Sequence, residues 1–345
     1  MRELDRFLGC LIGGAAGDAL GYPVEFMSEG EIFSRFGRGG ISKYALSDGA
    51  ARISDDTQMT LFTAQGLLDA DAGPLNEESL PQYALSINRA YLDWFKTQTE
   101  RFEEQEKNAG LLGVKELFSR RAPGNSCLSA LRMGGGGTPE SPINNSKGCG
   151  GVMRTAPVGL YFAGTGADAR DVARLGAWAG ALTHGHALGW LPAAALAVMV
   201  WELSGGAGSV QAAAEDALKV LDDLWGRLPD SFLHKKQLER ALELSRSSLT
   251  DLDAVHILGE GWVGDEALAI ALFCAARYED DFERALRAAV NHEGDSDSTG
   301  AITGNLVGAR LGLRGIPEKY TRDLELIKLI KDLAGAMWKS MGERS

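Results

Sequence analysis

Gly9-Cys10-Leu11-Ile12-Gly13-Gly14-Ala15-Ala16-Gly17-Asp18-Ala19-Leu20-Gly21 repeats glycine every fourth residue inside an apolar run that otherwise reads as a buried helix. Residues four apart share one helical face. An interior glycine costs a helix about 1 kcal/mol relative to alanine, so a stripe of them needs an offset, and close approach of a second helix backbone supplies one. The partner is expected at the other end of the chain, where glycine recurs at 300, 304, 308 and 312. Pairing of the two stripes would bring the first thirty residues against the last fifty.

The second stripe is preceded by Asn291-His292-Glu293-Gly294-Asp295-Ser296-Asp297-Ser298-Thr299-Gly300, three acids with hydroxyls between them. Its flanking glycines predict a tight turn, with Ser298 or Thr299 capping a helix that begins near Gly300. A similar cluster, Ile53-Ser54-Asp55-Asp56-Thr57, places Ser54 as an N-cap and two aspartates in the first helical turn. Either pair alone reads equally as helix-dipole or turn residues. Brought together by the glycine stripes, four carboxylates would repel strongly unless a hard cation bridged them. Oxygen-only donors favour Mg²⁺, Mn²⁺ or Ca²⁺ over Zn²⁺, and this many carboxylates with Ser54 and Ser298 suit a two-ion site.

The 345 residues are 45% hydrophobic and 24% charged, ordinary values for a globular chain, and no linker divides them. A single domain over 1–345 is expected. A net charge of −12 argues against a general nucleic-acid surface. Four scattered cysteines, with no Cys-x-x-Cys spacing and no cationic leader, fit a reduced cytoplasmic protein. The most apolar run, Ala187 to Trp201, is interrupted by Pro192 and falls short of the ~20 residues of a membrane span, so it reads as a core helix.

Helical patterns extend over 2–20, from 55 onward, 77–97, 171–182, 187–203, 210–224, 236–247, 265–277, 283–291 and 322–338. Leu85, Tyr91, Leu92 and Phe95 form the apolar face of the third of these. Residues 34–50 read as a glycine-rich loop and 99–126 as a mobile connection. No run of alternating strands occurs, so the expected class is all-α.

Asn144 to Arg154 contains the loop Gly148-Cys149-Gly150-Gly151, expected to open a helix and resembling a phosphate cradle without a P-loop lysine. His184, His186 and His292 lack acidic or thiol partners at a zinc spacing and read as core or ligand-contact histidines. Trp262, between glycines, suits either stacking on a flat ring or ordinary packing.

Taken together, Gly17-Asp18-Ala19-Leu20-Gly21 with Glu25, Ser54-Asp55-Asp56-Thr57, Gly148 to Arg154, and Gly294-Asp295-Ser296-Asp297-Ser298 resemble the ADP-ribosylglycohydrolase family, including the dinitrogenase reductase-activating type. The resemblance implies a compact all-α fold with two Mg²⁺ ions, or Mn²⁺, in a cleft that cleaves ADP-ribose from an acceptor. It implies Ser54, Asp55, Asp56, Asp295, Asp297 and Ser298 as metal ligands, and Glu25 or Asp55 as acid or base. Gly148, Cys149, Gly150, Gly151, Val152, Met153, Arg154, His184 and Trp262 would face the substrate. Cys149 stands where many relatives have asparagine, and Ser54 and Ser298 replace threonines. The implied partner is an ADP-ribosylated protein, with arginine the preferred acceptor, or a small ADP-ribosyl compound; reversal of a toxin's modification is one setting. The rivals are a non-catalytic ADP-ribose binder and a metal-dependent phosphohydrolase acting on ADP-ribose derivatives.

Overall fold

The computed structural model describes residues 2–104 and 110–344, and every regular element among them is a helix. Five helices precede the glycine loop at 148–151: α1 (Arg2–Gly21), α2 (Glu29–Phe36), α3 (Asp55–Leu68), α4 (Leu80–Thr99) and α5 (Asn125–Arg132). After the loop come α6 (Ala156–Phe162), α7 (Ala169–Ala181), α8 (Ala187–Gly205), α9 (Val210–Trp225) and α10 (Pro229–Ser245). The last five are α11 (Asp251–Leu258), α12 (Gly264–Arg277), α13 (Phe282–Val290), α14 (Ser296–Leu311) and α15 (Ile327–Arg344). The only β-like pairings among the described residues are three isolated bridges, so the class is all-α.

The two glycine stripes meet. A methyl group built on Gly9, Gly13 or Gly17 would strike the carbonyl of Gly308, Gly304 or Gly300, and the reverse additions strike Gly9, Gly13 and Gly17. The falling register means that α1 and α14 run antiparallel at backbone contact. Gly21 sits against the Ser296 carbonyl, so the end of α1 is held beside the start of α14. That junction positions the acidic residues described below.

Around this seam lies a large apolar cluster. Helix α8 is apolar on every side, as an internal helix should be, and it continues through Pro192. It and the stretch Glu3–Val24 are long and apolar enough to cross a membrane, but 83% of each is buried by the protein itself.

Several local expectations are corrected. Helix α14 begins four residues before Gly300, because the Asp295 side chain, not Ser298 or Thr299, caps it by accepting from the Ser298 amide. Helix α2 was not expected, and its last three residues run into the loop expected at 34–50; Ser28 and Glu31 form a capping box that starts it. Helix α11, capped by Thr250, was also unforeseen. Helix α10 starts at Pro229, well before 236, and α15 starts at Ile327, after Leu326 at φ 56°. Leu85 is 50% exposed, since α4 instead buries Tyr83, Ile87, Tyr91 and Trp94. Residues 144–154 make one 3₁₀ turn, Cys149–Gly151, and the helix starts only at Ala156. Of the 99–126 connection, 105–109 lie outside the described residues. The remainder is anchored, with Leu111 and Leu117 buried and Arg121 donating to Glu325 at 3.0 Å and to the Ile53 carbonyl at 2.9 Å.

His234 in α10 is buried with no partner for either ring nitrogen, and burial lowers its pKa from 6.5 to about 3. Its folded-state pKa is depressed, so the unfolded chain takes the proton first as the pH falls. Stability is therefore lost between pH 6.5 and about 3, by up to ~1.4 kcal/mol per pH unit. His234→Leu should flatten the fall in melting temperature across this window, measured by thermal denaturation at stepped pH.

Candidate active site and metal centre

Three structural junctions bring the acidic residues together. The first is Asp18, on the last turn of α1 and fully buried. Its carboxylate accepts from the Ser54 amide at 2.9 Å, the Thr57 amide at 3.1 Å and the Thr57 hydroxyl. This clamps the start of α3 to α1 and points the first turn, with Asp55 and Asp56, inward. The second is Glu325, which accepts from the Ile53 amide, Arg52 and Arg121 and fixes the strand-like approach to α3 from behind. The third is the α13–α14 turn, where the Asp295 amide donates to the Glu260 carbonyl at 2.8 Å and the Ser298 amide donates to Asp297 at 3.0 Å.

These elements enclose a cavity of about 370 Å³ lined by Glu25, Asp55, Asp56, Asp295, Asp297 and Ser298 on its acidic side. Gly148, Cys149, Gly150, Met153, His184, Trp262 and residues 122–127, the loop into α5 and its first turn, close the other side. One oxygen each from Glu25, Asp295 and Asp297 lies within 4.8 Å of the others. Ser54 is not among the residues lining the cavity; its hydroxyl donates to Asp56 at 3.4 Å. Residues 55 and 297, 242 positions apart in sequence, thus share one pocket.

Burial, with repulsion from Asp297 next, pushes Asp18 up to about 7 and Glu25 up to about 11. Asp55, Asp56 and Asp295 are held well above the carboxylate range by burial and then by Asp297, and burial raises Asp297 too. Such a cluster is costly without compensating positive charge. Glu25 Oε2, Asp56 Oδ1 and Asp295 Oδ2 are buried without any hydrogen-bond partner. Unpaired hard oxygens at this density fit a divalent cation such as Mg²⁺ or Mn²⁺.

The substrate-facing expectations divide. Gly148, Cys149, Gly150, Met153, His184 and Trp262 reach the cavity. Gly151, Val152 and Arg154 do not: Gly151 packs on the Gly189 carbonyl, and Val152 and Arg154 are fully buried. Arg154 is spent on the interior, donating to the Thr183 hydroxyl at 2.6 Å and the Ala179 carbonyl at 3.3 Å, with its guanidinium 4.2 Å from the Tyr91 ring centre. Through Thr183, which bonds His184 Nδ1 at 2.8 Å, it orients the histidine that does line the site. His292 is a core histidine held by Ala289 and Thr299. Arg154→Ala is accordingly expected to cost about 3 kcal/mol in denaturant melts and, through a less fixed His184, to raise KM only a few-fold, whereas loss of a substrate-contacting arginine would raise KM tenfold or more.

Asp18, Phe26 and the cavity-lining residues 122–126, which fell inside the expected mobile connection, escaped the sequence reading. Asp18 carried a visible signal, an aspartate buried in a glycine-striped helix. Phe26, 74% exposed and stacked on Trp262 at 5.9 Å, carried none, because its partner is 236 residues away.

An all-helical fold with a buried carboxylate-lined cavity at two helix starts offers the oxygen donor set of a divalent-cation site. The family model for ADP-ribosylglycohydrolase matches residues 1–345, and the chain belongs to that family of glycosidic-bond hydrolases. It is 27% identical over 333 residues to the ADP-ribosyl-[dinitrogen reductase] glycohydrolase of Rhodospirillum rubrum, covering 93% of this chain and 91% of that one. The mouse ADP-ribosylhydrolase ARH3 is 24% identical over 373 residues, covering 100% and 94%. A solved structure described as an ADP-ribosylglycohydrolase-related protein complex superposes with a TM-score of 0.62 at 25% identity, covering 99% of both chains.

Proposed function

We propose that this chain releases ADP-ribose from a modified acceptor, with ADP-ribosyl-arginine on protein the preferred substrate, using two Mg²⁺ ions or Mn²⁺. The observation that carries the reading is the single cavity shared by Asp55, Asp56, Asp295, Asp297 and Glu25, with three of their buried oxygens unpaired. Asp55, Asp56, Asp295, Asp297 and Ser298 would hold the cations, with Ser54 bracing Asp56. Bound there, the cations would supply the positive charge that grips ribose hydroxyls and polarises a water.

The chain's own groups do the rest. Glu25 stands at the end of the 3₁₀ turn that follows α1, with an unpaired buried oxygen. It and Asp55 are the two carboxyl groups placed to hold or move a proton as the bond to the anomeric carbon breaks. Glycine at 148 and 150 lets His184 and Cys127 pack against this loop, where an added methyl would meet them at 3.3 and 2.9 Å, and a diphosphate would lie along the same wall beside His184. Phe26 and Trp262 offer flat surfaces at the rim.

A pure ADP-ribose binder has no need of Glu25 among the aspartates, which disfavours that rival. To test the reading, the protein and Mg²⁺ are incubated with arginine-ADP-ribosylated protein and the released nucleotide is identified by mass. Free ADP-ribose supports it, AMP or phosphate indicates a phosphohydrolase, and no release indicates a binder. A neighbouring gene for an ADP-ribosyltransferase toxin would favour an immunity role.

A further inference from the structure

Apart from the carboxylate cavity, a hollow of about 260 Å³ lies between the loop after α2, the start of α11, the end of α12 and one side of α13. Three guanidiniums line it, Arg38, Arg284 and Arg287. The acids nearby are already engaged. Asp251 bonds Arg277 at 3.0 Å and the Tyr278 hydroxyl at 2.9 Å, Glu283 pairs with Lys319 at 2.7 Å, and Asp281 caps α13. Arg284 rests on the Tyr278 ring at 4.4 Å, and Arg287 donates one amino group to the Gly39 carbonyl at 3.2 Å. Its Nε is buried with no partner.

In a chain of net charge −12, three cations gather in one concavity whose single lining carboxylate, Asp251, is already bonded to Arg277 and Tyr278, and that gathering requires a reason. An unpaired buried donor is costly and like charges add to that cost, and an anion would relieve both. Guanidinium forks match phosphate oxygens, two bonds at a time. The volume is below the roughly 300–1,000 Å³ of ordinary small-molecule pockets, which favours a compact anion. We propose that this hollow binds a phosphate-bearing small molecule through Arg38, Arg284 and Arg287, of the size of inorganic diphosphate or the terminal phosphates of a nucleotide. The site is independent of the reaction in the first cavity.

The test is calorimetric titration of the full chain with inorganic diphosphate in excess chelator, so that no cation recruits the anion to the carboxylates. Saturable one-to-one binding is expected. Arg284→Gln/Arg287→Gln should weaken it at least about tenfold, the loss of one charged hydrogen bond or more, while Asp297→Asn leaves it unchanged. ADP should compete and adenosine should not. If the double variant is misfolded by circular dichroism, Arg38→Gln, on an exposed loop, should still weaken binding severalfold. No binding, equal binding by wild type and the arginine variants, or loss on Asp297→Asn instead, would overturn the assignment.

Discussion

Asp297→Asn is expected to lower ADP-ribose release by about a thousandfold, the equivalent of ~4 kcal/mol of lost charge stabilisation, while the metal-free protein stays folded. The residue stands at the centre of the cluster: its charge repels Asp18, Glu25, Asp55, Asp56 and Asp295. Asparagine keeps the shape and the contact with the Ser298 amide but removes that charge. Metal-free melting temperature should therefore rise or stay level, and the further rise on adding Mg²⁺ should shrink or vanish.

The pH dependence gives a second readout. These carboxylates have raised folded-state pKa values, so their contribution to stability is complete below the unfolded value near pH 4 and is lost as pH rises through the folded values. Metal-free wild type should thus weaken from about pH 4 toward neutrality, and the Mg²⁺-induced gain should grow over the same range. Thermal melts with and without chelator check this. Wild-type turnover by the variant, or a Mg²⁺ gain that ignores pH, would remove Asp297 from the proposed centre.

Gly304→Ala is expected to destabilise the protein by about 3 kcal/mol or more, despite a gain of about 1 kcal/mol in helix propensity. The added methyl would land on the Gly13 carbonyl, which is backbone and cannot rotate away. Moving α14 outward would also break the register that holds Gly17 on Gly300 and Gly21 on Ser296, and with it the approach of Glu25 to Asp297. Activity should fall together with stability. Gly335→Ala in α15, with nothing within 4 Å of the new methyl, is the matched control and should be neutral or stabilising by up to about 1 kcal/mol. Urea denaturation of the two variants gives the comparison. Equal stabilities would mean that the seam tolerates separation and that the stripe is not what sets the cavity.

Local chemistry made much of this molecule legible from residue order. A four-residue glycine period names its own requirement, a second backbone at contact, and only one other stretch met it. Ser54 before two aspartates announced a helix start, and absent strand alternation left an all-helical class. The capping box at Ser28 and Glu31 was equally readable, yet the glycines after it masked a short helix. Tertiary structure decided what depends on direction and on distant partners. Arg154 sits in the glycine-loop motif, but whether a guanidinium turns to the cavity or to Tyr91 and Thr183 depends on what α4 and α7 place behind it. The stacking of Phe26 on Trp262, the clamp of Asp18 on α3, and three arginines gathered beside the already engaged Asp251 arise from elements that meet only when the whole chain is packed. Sequence periodicity encodes which face is buried; it does not encode which neighbour that face will find.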